Sequence, residues 1–336
     1  MRYFLRLLTV LMVLAVVAGG LLVADYRDWE RTAVHQDTED RYLDVASGTS
    51  FRALLTKLET EGLIEDRWYF EFLARYRDEA GRIRAGEFRI PPGTTPPELL
   101  DRLVSGRVIQ YAFTLVEGWN FQQLRAALEA NPRIVSTFSE MTDEQIMERL
   151  GDAERYPEGW FYPETYYFTR GTTDEDILRW ALRAMEEQLA DAWENRADDL
   201  PIETPYEALI LASIIERETG QPSERGTIAG VFTRRLQQGM RLQTDPTVIY
   251  GMGEAYDGRI RTRDLRRDTP YNTYTRRGLP PTPIAMPGGD SLRAAVNPEP
   301  GEVLYFVSRG DGSHYFSVTY DEHRQAIRRY ILGERD

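Results

Sequence analysis

The sequence predicts an α+β protein with one apolar N-terminal helix, a strand-turn-helix region, and a mainly helical second half closed by a β-hairpin. Three observations carry this reading. Residues 7–24 form an almost unbroken apolar run. Between residues 41 and 130, a short extended run, a glycine turn and an amphipathic helix recur three times. The segment ALILASIIERET, residues 208–219, is apolar almost all round at its start, as a helix inside a core must be.

The first element is the apolar run. It has about the length that spans the hydrocarbon core of a bilayer, and Arg2 and Arg6 precede it. Positive charge on that side predicts residues 1–6 in the cytoplasm and the chain after residue 24 across the inner membrane, on its periplasmic side. A cleaved signal peptide is the competing reading, with Ala18, Gly19 and Gly20 as small residues, but Leu21 to Ala24 carries the apolar run past them. A retained single-pass anchor at 7–24 is therefore expected, followed by a polar tether at 25–40.

The strand-turn-helix units come next. The first has Val45 before Gly48-Thr49-Ser50-Phe51, the second GEFRIPPGTTPPELLDRLVSG, and the third YAFTLVEGWNFQQLRAALEAN. Each puts a hydroxyl or amide residue where it caps the free N–H groups of the following helix. Pro96 and Pro97 suit a first helical turn, where proline has no N–H to lose. Residues 41–130 are read as one membrane-proximal domain of such units. Within it, Trp68, Tyr69, Phe70, Phe72 and Tyr76 recur at spacings of three and four, which predicts a packed helix face.

Residues 131–336 are expected to form a second domain. Pro157 and Pro163 break helix around the aromatic loop EGWFYPETY, which is either packed inside or one wall of a cleft. Thr204-Pro205-Tyr206-Glu207 reads as a capping box with proline at the first helical position, so a helix starts there. At about 100° per residue, Leu211, Ile214, Ile215 and Glu218 fall on one side and Glu216 projects roughly 160° from Glu218. Glu218 thus extends the buried ridge. Desolvation there raises a carboxyl pKa, which a general acid working at neutral pH needs. The plainer alternative is an ion pair with Arg217, Arg225 or Arg234 that merely steadies the helix end. Further on, GEVLYFVSRGDGSHYFSVTY predicts a hairpin around Gly310-Asp311-Gly312, with a helix from Asp321 to Leu332 closing the chain. His314, alone beside the turn, reads as solvated or a hydrogen-bond donor.

Composition narrows the function. A net charge of -13 over 336 residues argues against nucleic acid, whose phosphates call for a basic surface. Cysteine is absent and the three histidines, His35, His314 and His323, lie far apart, so neither a disulfide framework nor a metal site is expected. No cofactor is implied.

The blocks SIIERETG, SERGTIAGVFTRRLQQGMRLQTDPTVIYGMG and YNTYTRRGLPPTPIAMPGGDSLRAAVNP resemble the signature blocks of the endolytic murein transglycosylase (YceG-like) family. The resemblance extends to the anchor, the LVEGW and EGWFYPETY segments and LYFVSRGDGSHYFSVTYDEH, hence to nearly the whole chain; the tether and residues 130–155 match least. It implies a LysM-like membrane-proximal part, a lysozyme-like catalytic part, and Glu218 as the catalytic glutamate, with Glu216 as the first glutamate of the same motif and a secondary candidate. It also implies peptidoglycan glycan strands as substrate, cut within the strand to leave 1,6-anhydro ends, near wall-synthesis enzymes and with a role in ending strand elongation. A lone glutamate needs partners for developing charge and sugar orientation. Gln243, Thr244, Asp245, Tyr250, Asn272 and Tyr274 are the substrate-binding candidates, with a turn or cap role open for Asp245 beside Pro246. A non-catalytic glycan-binding scaffold, or a hydrolase pairing Glu218 with Asp245 or Glu216, are the competing functions.

Overall fold

The apolar run becomes one continuous helix, α1 (Arg2–Arg31), in a computed structural model that describes residues 2–218 and 220–333. Residues 3–31 are long and apolar enough to cross a membrane, and none of the most apolar window is buried by the protein. The chain then divides into two units, 1–111 with 167–171, and 112–166 with 172–336.

In the first unit β1 (Arg41–Val45) is followed by α2 (Phe51–Thr60), α3 (Arg67–Tyr76), β2 (Gly86–Ile90) and α4 (Pro96–Ser105). β1 and β2 pair antiparallel from Arg41 opposite Ile90 to Val45 opposite Gly86. Alternation along β1 turns Leu43 and Val45 inward, where they meet Leu54, Leu58, Phe70, Leu73, Phe88 and Leu99 in one core. The capping residues act as their types dictate. Ser50 accepts from Ala53 N at 3.3 Å, and Glu98 Oε2 accepts from Thr95 N at 2.9 Å. The turn glycines Gly48, Gly93 and Gly118 all have φ near +78° (77°, 79° and 78°), a left-handed conformation that a side chain would strain.

Two expectations change here. Residues 25–40, read as a polar tether, carry ordered contacts: α1 runs to Arg31, Val34 N donates to Thr94 O at 2.8 Å, and His35 Nε2 bonds Ile90 O at 3.0 Å. The cause is apolar, since Trp29 and Val34 pack onto the core of this unit. The aromatic residues of α3 also do not all pack inward. Phe70, Leu73 and Ala74 take the core face, leaving Trp68 71%, Phe72 48% and Tyr76 80% exposed on the other.

The second unit holds most of β3 (Tyr111–Thr114), then α5 (Phe121–Glu129), α6 (Asp143–Leu150), the first half of β4 (Thr165–Phe168) and α7 (Asp174–Glu194). β3 pairs with β4. The third strand-turn-helix copy therefore lies in this unit, and residue 130, where the sequence suggested a boundary, is interior to it. α8 (Pro205–Glu218), α9 (Arg225–Gln237), α10 (Asp245–Met252), α11 (Thr262–Arg266) and α12 (Gly289–Val296) follow, then β5 (Tyr305–Ser308), β6 (His314–Ser317) and α13 (Tyr320–Tyr330). β5 and β6 form the antiparallel hairpin, with Ser308 opposite His314. α8 is the central element: residues 208–215 are all buried, and α7, α9, α10 and α12 pack around it.

Candidate active site

The site grows from the last turn of α8. Its start is fixed by the box read from sequence, with Glu207 N donating to Thr204 Oγ1 at 3.2 Å and Thr204 N to Glu207 Oε2 at 3.1 Å. Within the apolar stretch only Ser213 is polar, and it is satisfied. Its Oγ donates to Ile210 O at 2.7 Å and accepts from Ile284 N at 3.0 Å, tying the helix to the 279–288 loop.

The three charged residues at the end of α8 then diverge. Glu216 Oε2 accepts from Gly288 N at 3.0 Å and Ser291 Oγ at 2.7 Å, with Arg225 Nη2 3.7 Å from Oε1. It therefore serves the N-terminus of α12, where unpaired N–H groups and the helix dipole favour a carboxylate. Arg217 Nη1 donates to Gly118 O at 3.1 Å. Glu218 faces the opposite way, among Thr244, Asp245, Arg235, His314 and Tyr274. Its carboxyl is raised to about 7, chiefly by burial and further by the like charge of Asp245, against the opposing pull of the Thr244 hydroxyl, His314 and the Arg235 guanidinium. Among the described residues the buried Thr244 Oγ1 has no hydrogen-bond partner of ordinary geometry, and it is placed to tighten onto a charged Glu218.

Glu216→Ala is accordingly expected to act on stability. It strands the buried Ser291 hydroxyl and Gly288 N–H, costing about 1–3 kcal/mol in thermal or urea unfolding, while turnover per folded molecule stays within about threefold. A loss of turnover with unchanged stability would shift the chemistry to Glu216.

Around Glu218 the chain is held by a small hydroxyl cluster. Thr244 N donates to Thr273 Oγ1 at 3.1 Å, Thr247 Oγ1 to Thr244 O at 2.8 Å, and the Thr247 and Thr273 hydroxyls meet at 2.9 Å. Gln243, exposed, precedes them at a left-handed φ of 51°, with its N–H on Thr273 O at 3.2 Å. Asp245, the first residue of α10, accepts from Tyr274 OH at 2.6 Å, and burial together with that bond pushes the Tyr274 phenol up. Asp245 is thus both a helix-start residue and a partner of the site.

Two other residues singled out from sequence are placed differently. Asn272 is buried, with Nδ2 on the carbonyls of Asp264, Leu265 and Arg267 (3.2, 3.1 and 2.7 Å) and Oδ1 accepting from Tyr274 N at 2.9 Å. Its amide is used up in holding the 264–274 loop, so its side chain organises Tyr274 and leaves little to offer a ligand. Tyr250 OH donates at 3.0 Å to Glu158 Oε2.

Glu158 was not singled out by sequence reading. Only 3% exposed, it accepts from Phe121 N at 3.1 and 3.3 Å, and burial pushes its carboxyl up to about 7. The next residue, Gly159, has φ 84°, and a Cβ there would meet Pro283 Cβ at 2.5 Å, so the PEGW turn closes only with glycine. Glu158, Tyr156, Tyr250, Tyr271 and Arg217 border a cavity of about 620 Å³, within the usual size of a ligand site. The sequence signal was an acidic residue between proline and glycine in an aromatic loop.

Arg235 is not marked by the sequence, whereas His314 is. Arg235 is buried, its Nε on Leu304 O at 2.7 Å and Nη1 on Leu242 O at 2.6 Å, which joins α9 to both the turn before Thr244 and the start of the hairpin. Of the two readings of His314, solvated or hydrogen-bonding, the structure has the second: its Nδ1 lies 2.7 Å from Glu224 Oε2, and its backbone N donates to Glu224 Oε1 at 3.0 Å.

The chain is similar to known proteins over most of its length. The model of the YceG-like family matches residues 43–329. An endolytic murein transglycosylase of Bacillus subtilis (strain 168) is 30% identical, over 88% of this chain and 86% of its own. One from Streptococcus pneumoniae serotype 2 (strain D39) is 25% identical over 85% of this chain, which spans 58% of that relative. The crystal structure of a putative yceG-like protein from Listeria monocytogenes is 27% identical and superposes with a TM-score of 0.53, covering 86% of this chain and 100% of that one.

Proposed function

The chain belongs to the YceG-like family, and from that premise we propose that it is a membrane-anchored lyase that cuts peptidoglycan glycan strands by lytic transglycosylation, with Glu218 as its acid/base. The observation that carries the reading is a carboxyl at the end of a buried helix whose proton is held to about pH 7, so that both its forms are accessible at neutral pH. The names of the curated relatives support the same reaction class.

The reaction needs one carboxyl. Neutral Glu218 gives its proton to the glycosidic oxygen as the bond from C1 of N-acetylmuramic acid to that oxygen breaks, releasing the N-acetylglucosamine side as an alcohol. Glu218, now a carboxylate, takes the proton of the C6 hydroxyl while that oxygen bonds C1. The products are a 1,6-anhydro end and a regenerated acid, with no water consumed. A nucleophile within the same sugar has the proximity advantage that water lacks. Thr244 steadies the carboxylate form, and Asp245, oriented by Tyr274, offers negative charge to the oxocarbenium-like centre. Gln243 and Tyr274 are assigned to sugar polar groups, and Tyr250 with Glu158 to the cavity that both border.

The β1-α2-α3-β2 order, with its antiparallel pair, supports a LysM-like glycan-contacting unit, and the buried α8 a lysozyme-like catalytic core. α1 supports single-pass anchoring with the remainder in the periplasm, where nascent strands and the enzymes that polymerise them are found and where cutting ends a strand.

The test is to digest purified peptidoglycan and weigh the fragments. Release of 1,6-anhydro-muramyl ends, abolished in Glu218→Gln, is the expected result. Reducing ends point instead to a two-carboxylate hydrolase using Asp245, and retention of glycan without release points to a scaffold.

A further inference from the structure

The exposed face of α3 lies beside the end of the apolar run. Eighteen residues, 7–24, span roughly 27 Å as helix, close to the thickness of a hydrocarbon core, so Asp25 and Tyr26 fall at the headgroup level. α3 is fastened at that level. Tyr69 OH donates to Asp25 Oδ2 at 2.6 Å, and the Tyr69 ring meets Tyr26 at 5.4 Å and Trp29 at 5.5 Å. Phe72 meets Tyr26, the ring nearer the span, edge-on at 5.7 Å.

On the side of α3 away from its core, Trp68, Phe72 and Tyr76 follow each other at intervals of four residues, which aligns them along one face. Phe72 and Tyr76 stack at 5.9 Å and Trp68 touches Tyr69 at 6.2 Å, so the rings form a continuous surface with Tyr26. Aromatic rings with one polar edge favour the membrane-water interface over either phase alone. Arg75 emerges on the same face, exposed and paired with Glu71 Oε1 through Nε and Nη2 at 3.0 and 2.7 Å, which leaves its remaining N–H groups facing outward beside the rings.

We propose that α3 lies in the lipid interface alongside α1, with Trp68, Phe72 and Tyr76 seated among the headgroups, so that the first unit is held against the bilayer at two elements instead of swinging from one. The occupant of this face is lipid because the face continues the surface of the spanning helix. The inference rests on the reading of α1 as a retained span, and the experiment separates the two.

The chain has no cysteine, so single replacements carry one spin label each. Full-length protein with Trp68→Cys, Phe72→Cys, Tyr76→Cys or Leu14→Cys is labelled and reconstituted in phosphatidylglycerol-phosphatidylcholine vesicles. Collisions with oxygen and with an aqueous nickel chelate then report depth. The expected result is a deep Leu14 label and labels at 68, 72 and 76 shielded from nickel severalfold relative to free label, about 5–10 Å into the interface. A deep Leu14 label with the three α3 labels as open to nickel as free label overturns the docking while leaving the anchor intact. A Leu14 label open to nickel overturns both.

Discussion

Glu218→Gln is expected to lower turnover on peptidoglycan by about 10² to 10⁴-fold, with binding of intact strands little changed. Glutamine keeps the size and hydrogen-bonding reach of the side chain and removes the one proton that the proposed cycle passes back and forth. The wild-type rate should also fall as pH rises through about 7, because the first step needs the neutral acid and the carboxyl titrates there. Turnover against pH on purified strands is the measurement. A rate flat from pH 6 to 9 in the wild-type protein, or a glutamine variant within tenfold of it, would remove Glu218 from the acid role.

The same carboxyl leaves a mark on stability. Its folded pKa is raised above the unfolded value, so between about 4.5 and 7 the folded chain binds more protons than the unfolded one. Stability contributed by this group is therefore present at low pH and declines as pH rises from 4.5 through 7. Glutamine, which never ionises, escapes that decline. The variant should be more stable than wild type at pH 8 by roughly 1 to 3 kcal/mol and indistinguishable near pH 4. A less active but more stable variant is the signature of a functional carboxyl held at a cost, and a stabilising ion pair predicts the reverse.

What could be read from sequence, and what could not, follows the range of the interactions. The start of α8 at Pro205 and the opposed directions of Glu216 and Glu218 depend on a capping box and on helical periodicity, both set within a dozen residues. The turn glycines and caps of the strand-turn-helix units are local in the same way. The partners were harder. Glu158 reaches Tyr250 across 92 positions and His314 reaches Glu224 across 90, and nothing local in either segment states that it will meet the other. Asn272 shows the converse: an amide in an ordered loop reads as a ligand contact until three nearby carbonyls are found to occupy it. The α3 stripe misled for a third reason, since spacing of three and four fixes a helix but a helix with rings on both faces does not say which face is covered.

Arg235→Met should test how the site is held together. The arginine is buried, donates to Leu242 O and Leu304 O, and sits 5.2 Å from the Tyr305 ring. Methionine fills much of the volume but leaves both carbonyls without their charged donor, and hydrogen bonds to charged groups are worth about 1.5–3 kcal/mol each. A loss of roughly 2 to 5 kcal/mol is expected, read as a lower midpoint in urea. Removing this cation also removes one of the influences that keep the Glu218 carboxyl from rising further, so the pH at which turnover declines should move to the alkaline side. Arg235→Lys separates the two effects. A lysine restores positive charge near Glu218 but cannot span both carbonyls with a fork, so it should bring the pH profile back toward wild type while recovering only part of the stability. If both variants lose stability and neither moves the profile, Arg235 braces the turn before Thr244 and has no electrostatic hold on Glu218.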